Sequence, residues 1–83
     1  MDENEIKSKL KTFICTEIMN DPDYPLKYDE PLITSGLIDS FSLAQIGVFV
    51  EIEFKTYVPD PELTVDKMNT IDAMAAKIME KMA

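Results

Sequence analysis

The sequence predicts an all-α fold, a small four-helix bundle with three longer helices, one short third helix and a long loop between helices 1 and 2. Three observations carry this. Apolar residues recur at helical spacing in three separate stretches. Turn formers and capping residues stand between those stretches. The chain has 83 residues, 46% of them hydrophobic, which is enough for one core only. A single domain over residues 1–83 is expected.

Ile6, Leu10, Phe13, Ile14 and Ile18 set the first helix, over about residues 3–19, with acids in its opening turn. Asn20, Asp21, Pro22, Asp23, Tyr24 and Pro25 end it. The connection runs to about residue 38 and carries Leu26, Leu32, Ile33, Leu37 and Ile38, so it is expected to pack across the bundle. Connections of such length tend to be functional. The second helix spans about 40–54, with Asp39 as its N-cap. Residues 55–59 break the pattern, and Asp60-Pro61-Glu62 then opens a short third helix ending near 66 or 67. Asn69 or Thr70 caps the fourth, which reaches about residue 82 with Ile71, Met74, Ala75, Ile78 and Met82 as its buried stripe.

The second helix has two apolar faces. At about 100° per residue, Leu43, Ile46, Gly47, Val50 and Phe54 fall on one narrow side. Phe41, Val48 and Ile52 fall almost opposite, flanked by Ala44 and Gln45 and bordered by Glu51. The first stripe is assigned to the core. The second is expected to stay exposed as a docking strip, the alternative being that the long connection covers it. Gly47 costs about 1 kcal/mol relative to Ala inside a helix and points to close packing there.

Sixteen acids face eight lysines, with no arginine and no histidine. Nucleic acid is a poor partner for such a chain. Residues 28–66 hold eight acids against Lys55 alone, a net of minus seven, so a cationic partner surface would be drawn to the middle of the chain. No apolar run approaches the ~20 residues of a membrane span. The first residues are acidic, unlike a secretory signal, and a cytoplasmic location is expected. Cys15 is the only cysteine, which excludes an internal disulfide, gives no metal constellation and reads as a small buried hydrophobe. The acidic stretch 21–32 has Leu26 and Leu32 where a calcium loop needs Gly and Glu, so no metal site is assigned. Without histidine there is no ordinary Ser-His-Asp or Cys-His machinery, and neither common phosphate loop is present. The chain is not expected to be an enzyme.

The most informative stretch is Gly36-Leu37-Ile38-Asp39-Ser40-Phe41-Ser42-Leu43. A glycine turn brings a hydroxyl, Ser40, to a helix N-terminus, where unpaired N–H groups and partial positive charge favour a phosphate. A serine there is also a common cap. The run Gly-Leu-Ile-Asp-Ser-Phe resembles the modification motif of acyl carrier proteins and related carrier domains. Val58-Pro59-Asp60 and Met68-Asn69-Thr70-Ile71 are similar to the family's approaches to its last two helices, so the resemblance covers essentially the whole chain.

The resemblance implies a covalent 4'-phosphopantetheine, derived from coenzyme A, on Ser40, carrying acyl groups as thioesters to enzymes of fatty acid, polyketide or related lipid biosynthesis. It implies that Asp39 is read by a phosphopantetheinyl transferase, and that Phe41, Ala44, Gln45, Val48, Glu51 and Ile52 form the partner-binding face. The other partners would be acyl-loading and acyl-processing enzymes with basic docking surfaces, and the carrier a monomer. Ser42, Gln45 and Ile52 stand where carriers of fatty acid synthesis usually have acids, which favours a specialised stand-alone carrier. The alternatives are an aminoacyl or peptidyl carrier, including the D-alanine type, and a plain helical interaction module without a prosthetic group. Met74, Met79 and Met82 are candidates to line a cavity for a fatty chain, or else plain core.

Overall fold

A computed structural model describes residues 2–82. Among these residues the chain is all-helical, without strands. Helix α1 spans Glu3–Phe13, α2 Ser42–Phe54, α3 Val65–Met68 and α4 Ile71–Met82, forming a small helical bundle in which α1 packs against α4.

Helix α1 begins at Asp2, whose carboxylate accepts the Glu5 N–H at 2.8 Å. It does not continue as a regular α-helix to residue 19. From Ile14 to Ile18 the turns widen to a π-helix, with the Met19 N–H reaching the Ile14 carbonyl at 2.9 Å. Asn20 then takes a left-handed backbone, φ 54°, and the Asp21 N–H closes on the Cys15 carbonyl at 2.7 Å. This seven-to-one bond satisfies a carbonyl that the helix end would otherwise orphan.

The long connection is a structural element in its own right. Leu26, Leu32 and Ile38 are buried in the core. The Leu32 N–H donates to the Asn69 carbonyl at 2.7 Å, and the Leu32 carbonyl accepts from Ile38 N–H at 3.1 Å. Asn69 Oδ1 accepts from the Ile33 and Thr34 N–H groups at 2.9 and 3.2 Å, and its Nδ2 donates to Thr34 Oγ1 at 3.0 Å. The Asp72 N–H donates to the Tyr28 carbonyl. The chain before Ser40 is thereby held to the junction of α3 and α4. Of the two residues expected to cap α4, Thr70 does so, accepting the Ala73 N–H at 3.0 Å, while Asn69 serves the loop.

The core is built from Ile6, Leu10 and Ile14 of the first helix, Leu43, Ile46 and Val50 of α2, Met68 of α3, and Ile71, Met74, Ala75 and Ile78 of α4. Met79 and Met82 are 38% and 42% exposed, so they do not line an interior cavity and Met82 leaves the expected stripe. Phe49 lies between the two faces of α2. It stacks on Phe13, ring centroids 4.2 Å apart, and meets Phe54 edge-on at 5.8 Å. Geometry of this kind adds about 0.5–1.5 kcal/mol beyond area burial.

The expected third helix is two pieces. Asp60–Glu62 is a single 3-10 turn, and the backbone breaks at Leu63 and Thr64 before α3 begins at Val65. Leu63 causes the break by packing inward on Gly47. A methyl placed at position 47 would stand 2.8 Å from Leu63 Cδ1. Thr64 Oγ1 is buried with no hydrogen-bond partner among the described residues, a cost of the irregular segment. Lys55 ends α2 in a left-handed conformation, φ 53°.

Half the lysines tie elements together. Lys7 reaches Asp72 at 2.9 Å, joining α1 to α4, and the Asp72 carboxylate raises the Lys7 pKa. Lys9 bonds Glu53 at 3.1 Å, joining α1 to α2. Lys77 and Lys81 of α4 both hold Glu62, at 3.0 and 2.7 Å. Hydrogen bonds from Lys81 and Lys77 bring the Glu62 carboxyl from its ordinary 4.5 down to about 2. A depressed carboxyl contributes stability that is full above its unfolded pKa and is lost as pH falls through the folded one. That window lies between pH 4.5 and about 2. Thermal midpoints of the protein and of Glu62→Gln should diverge above the window and converge on descending it. Parallel curves for the two proteins throughout would show that the triad contributes nothing.

Candidate functional site

The candidate site is the head of α2. Gly36 has φ 85°, a left-handed turn that an L side chain rarely adopts, and its N–H donates to the Ile33 carbonyl at 3.1 Å. Ile38 then anchors in the core, at 6% exposure. Asp39, Ser40 and Phe41 follow, all exposed. The regular helix starts at Ser42, two residues later than the expected start at residue 40. Its first turn is tight. The N–H groups of Ser42, Leu43 and Ala44 donate to the carbonyls of Asp39, Ser40 and Phe41, each three residues back, at 3.1, 3.2 and 3.2 Å.

Asp39 acts as the cap. Its Oδ1 accepts the Ser42 N–H at 3.0 Å and the Ser42 hydroxyl at 3.2 Å. Ser42 is itself buried, so it belongs to the cap and not to the helix surface. The spacing of Asp39 and Ser42, three apart before an apolar run, is the signal that would have found this pairing. Ser40 stands between them, turned outward. Its hydroxyl has no hydrogen-bond partner among the described residues, and no carbonyl there accepts the N–H of Ser40 or Phe41. Those two amides lie at the positive end of the α2 dipole.

Two shallow recesses meet at Ser40. One lies towards the loop, lined by Ile18, Ile33, Leu37 and Ile38. The other lies towards the 3-10 turn, lined by Phe41, Leu43, Ala44, Asp60 and Leu63. The outer face of α2 runs away from the site. Phe41 is 85% exposed, Ile52 73% and Val48 58%. Ala44, Gln45 and Glu51 are exposed beside them, and Tyr57 extends the patch at 62%. The long connection does not cover this strip. Exposed apolar side chains in one line, rimmed by Glu51 and Asp60, have the composition of a contact surface.

Cys15 stands apart from this site. It is 2% exposed, and burial pushes its thiol pKa up, which leaves it a poor nucleophile. No helix among the described residues is long and apolar enough to cross a membrane. Compared with protein-family models and with curated proteins, the chain matches none.

Proposed function

We propose that this protein is a carrier, with Ser40 the attachment point of a 4'-phosphopantetheine arm and the outer face of α2 the surface read by its enzymes. The observation that carries the reading is the head of α2. There an unpartnered, outward hydroxyl sits in a Gly-Leu-Ile-Asp-Ser-Phe run, at a helix N-terminus with two free amides. The residues fit a tethered phosphate. The two amides offer donors, and the Asp39 carboxylate, the nearest negative group in sequence, is turned onto Ser42.

Attachment balances as a phosphoryl transfer from coenzyme A. The Ser40 oxygen attacks the phosphorus that bears pantetheine and a new P–O bond forms. The P–O bond to the bisphosphorylated adenosine breaks, and that nucleotide leaves with the electron pair. The hydroxyl proton passes to a base of the transferase. The arm supplies the thiol that holds an acyl group as a thioester, chemistry this histidine-free chain does not provide. The bundle's own task is to hold Ser40 outward and to present Phe41, Val48 and Ile52 to a partner. The acidic surroundings favour enzymes with basic docking surfaces. Phosphopantetheinyl transferase is the first of these, and acyl-loading and acyl-processing enzymes follow. The departures at Gln45 and Ile52 enlarge the apolar share of recognition and favour a dedicated pathway over general fatty acid synthesis.

Intact mass after incubation with a phosphopantetheinyl transferase and coenzyme A tests the reading. One phosphopantetheine is expected on the protein and none on Ser40→Ala. A folded protein that gains nothing would instead be an interaction module using the exposed strip. Loading assays with amino-acid adenylating enzymes against acyl sources separate the aminoacyl and acyl alternatives.

A further inference from the structure

The carrier reading leaves open what kind of acyl group the bundle accommodates, and the packing beside Ser40 speaks to it. Two open recesses lie in file along the flank of α2 that faces the 3-10 turn. The first, about 270 Å³, is lined by Ser40 itself, with Ala44, Asp60 and Leu63. The second, about 170 Å³, lies beyond it, among Gly47, Val48, Tyr57 and Val58. Ala44, Asp60 and Leu63 border both. Leu63 fills the notch left by the missing side chain of Gly47, close enough that even a methyl at position 47 would collide with it.

We infer that Leu63 is a stopper that divides these recesses, so that the bundle shelters only short acyl groups and longer chains extend outside it. This inference rests on the carrier reading. An apolar chain tethered near Ser40 gains free energy with each methylene it buries, so it seeks the nearest apolar shelter. Of the two recesses that meet at Ser40, the one towards the 3-10 turn is the more apolar, and it is the first of this file. Passage to the second requires Leu63 to leave Gly47. Three features hold it there. Its side chain is seated on the α2 backbone at Gly47. The preceding residue, Glu62, is clamped by Lys77 and Lys81. The following helix is fixed by Met68, fully buried. Both recesses are smaller than the ~300 Å³ at which ordinary ligand pockets begin, so neither takes more than a short chain. Beneath both, the core is closed by Leu43, Ile46 and Val50.

The test loads the protein and Leu63→Ala with a series of acyl-pantetheine arms, from acetyl to dodecanoyl, using acyl-coenzyme A and a permissive transferase. Mass spectrometry confirms each product. Thermal midpoints and amide NMR shifts at Gly47 and Val58 are then read. In the unaltered protein the midpoint should rise over the first few carbons and then stay level, and the two amides should not move between acetyl and dodecanoyl. In Leu63→Ala the midpoint should climb with chain length by about 4 °C or more, the shift expected of a kilocalorie gained in a domain this size, and both amides should move. If Leu63→Ala does not fold, Leu63→Val carries the same comparison. A midpoint that keeps climbing to dodecanoyl in the unaltered protein, or a Gly47 amide that moves, overturns the stopper. So does a Leu63 variant whose midpoint levels off at the same chain length as its parent's. Failure to acquire any arm overturns the carrier reading and the stopper with it, and mass alone distinguishes that outcome.

Discussion

Leu32→Ala is expected to lower the thermal midpoint by roughly 10–40 °C, the consequence of a large-to-small core change costing ~2.7–5 kcal/mol in a domain that moves ~4–8 °C per kcal/mol. A loop residue is an unusual place for so large an effect. Leu32 is fully buried, however, and both its backbone groups are engaged, to Asn69 on one side and Ile38 on the other. Removing its side chain empties a site that neighbouring residues cannot readily fill, because Ile6, Ile14 and Met68 around the same core are themselves fully buried. The loss should have a local signature as well. Amide hydrogen exchange at Gly36 and Ile38 should accelerate more than exchange in α4, because Leu32 anchors the segment that leads to Ser40. Calorimetry and exchange on the same sample check both parts. A midpoint within a few degrees of the parent would mean that the connection is a dispensable strap.

Phe41→Ala should do the opposite, leaving stability alone and harming recognition. The ring is 85% exposed and makes no core contact, so the thermal midpoint should stay where it is. Covered by a partner, an aromatic anchor of this kind is typically worth ~2 kcal/mol, which is about a 30-fold fall in kcat/KM for the transferase. Ile52→Ala, further along the same strip, should cost less, and Glu51→Gln should act mainly through the salt dependence of the association rate. Initial rates of arm transfer at limiting carrier concentration give these numbers directly. Equal rates for the parent and Phe41→Ala would remove the strip from the recognition surface.

Much of this was legible in the chain. Strong periodicity at Ile6, Leu10 and Ile14, and at Ile71, Met74 and Ile78, located the two helices that pack together. The split between Leu43, Ile46, Val50 and Phe41, Val48, Ile52 already separates core from surface on α2. What stayed hidden was tertiary. The widened turn at Ile14–Ile18 keeps its apolar residues four apart, as an α-helix would, so the pattern does not betray it. The break at Leu63 arises from a fit to Gly47, sixteen residues earlier, which no local propensity records. Phe49 falls between the two stripes of α2 and acquires its place only through Phe13. Asn69 reads as a cap in sequence and spends its amide on the loop because Thr70 takes the capping role. At the site, Ser40 and the exposed face were readable, and the pairing of Ser42 with Asp39 was marked in the chain only by their three-residue spacing.

Lys55 carries a consequence of its own. A left-handed backbone costs a side-chain-bearing residue ~1–2 kcal/mol, and glycine is the usual tenant of such a helix end. Glycine here would relax the chain, yet it would also delete the one positive charge among the nine ionised groups between residues 28 and 66. The molecule thus keeps a conformational tension at the foot of α2 where relief would deepen the local negative potential. As the one cation of that segment, position 55 is the natural place to tune how hard the protein is pulled towards an oppositely charged surface.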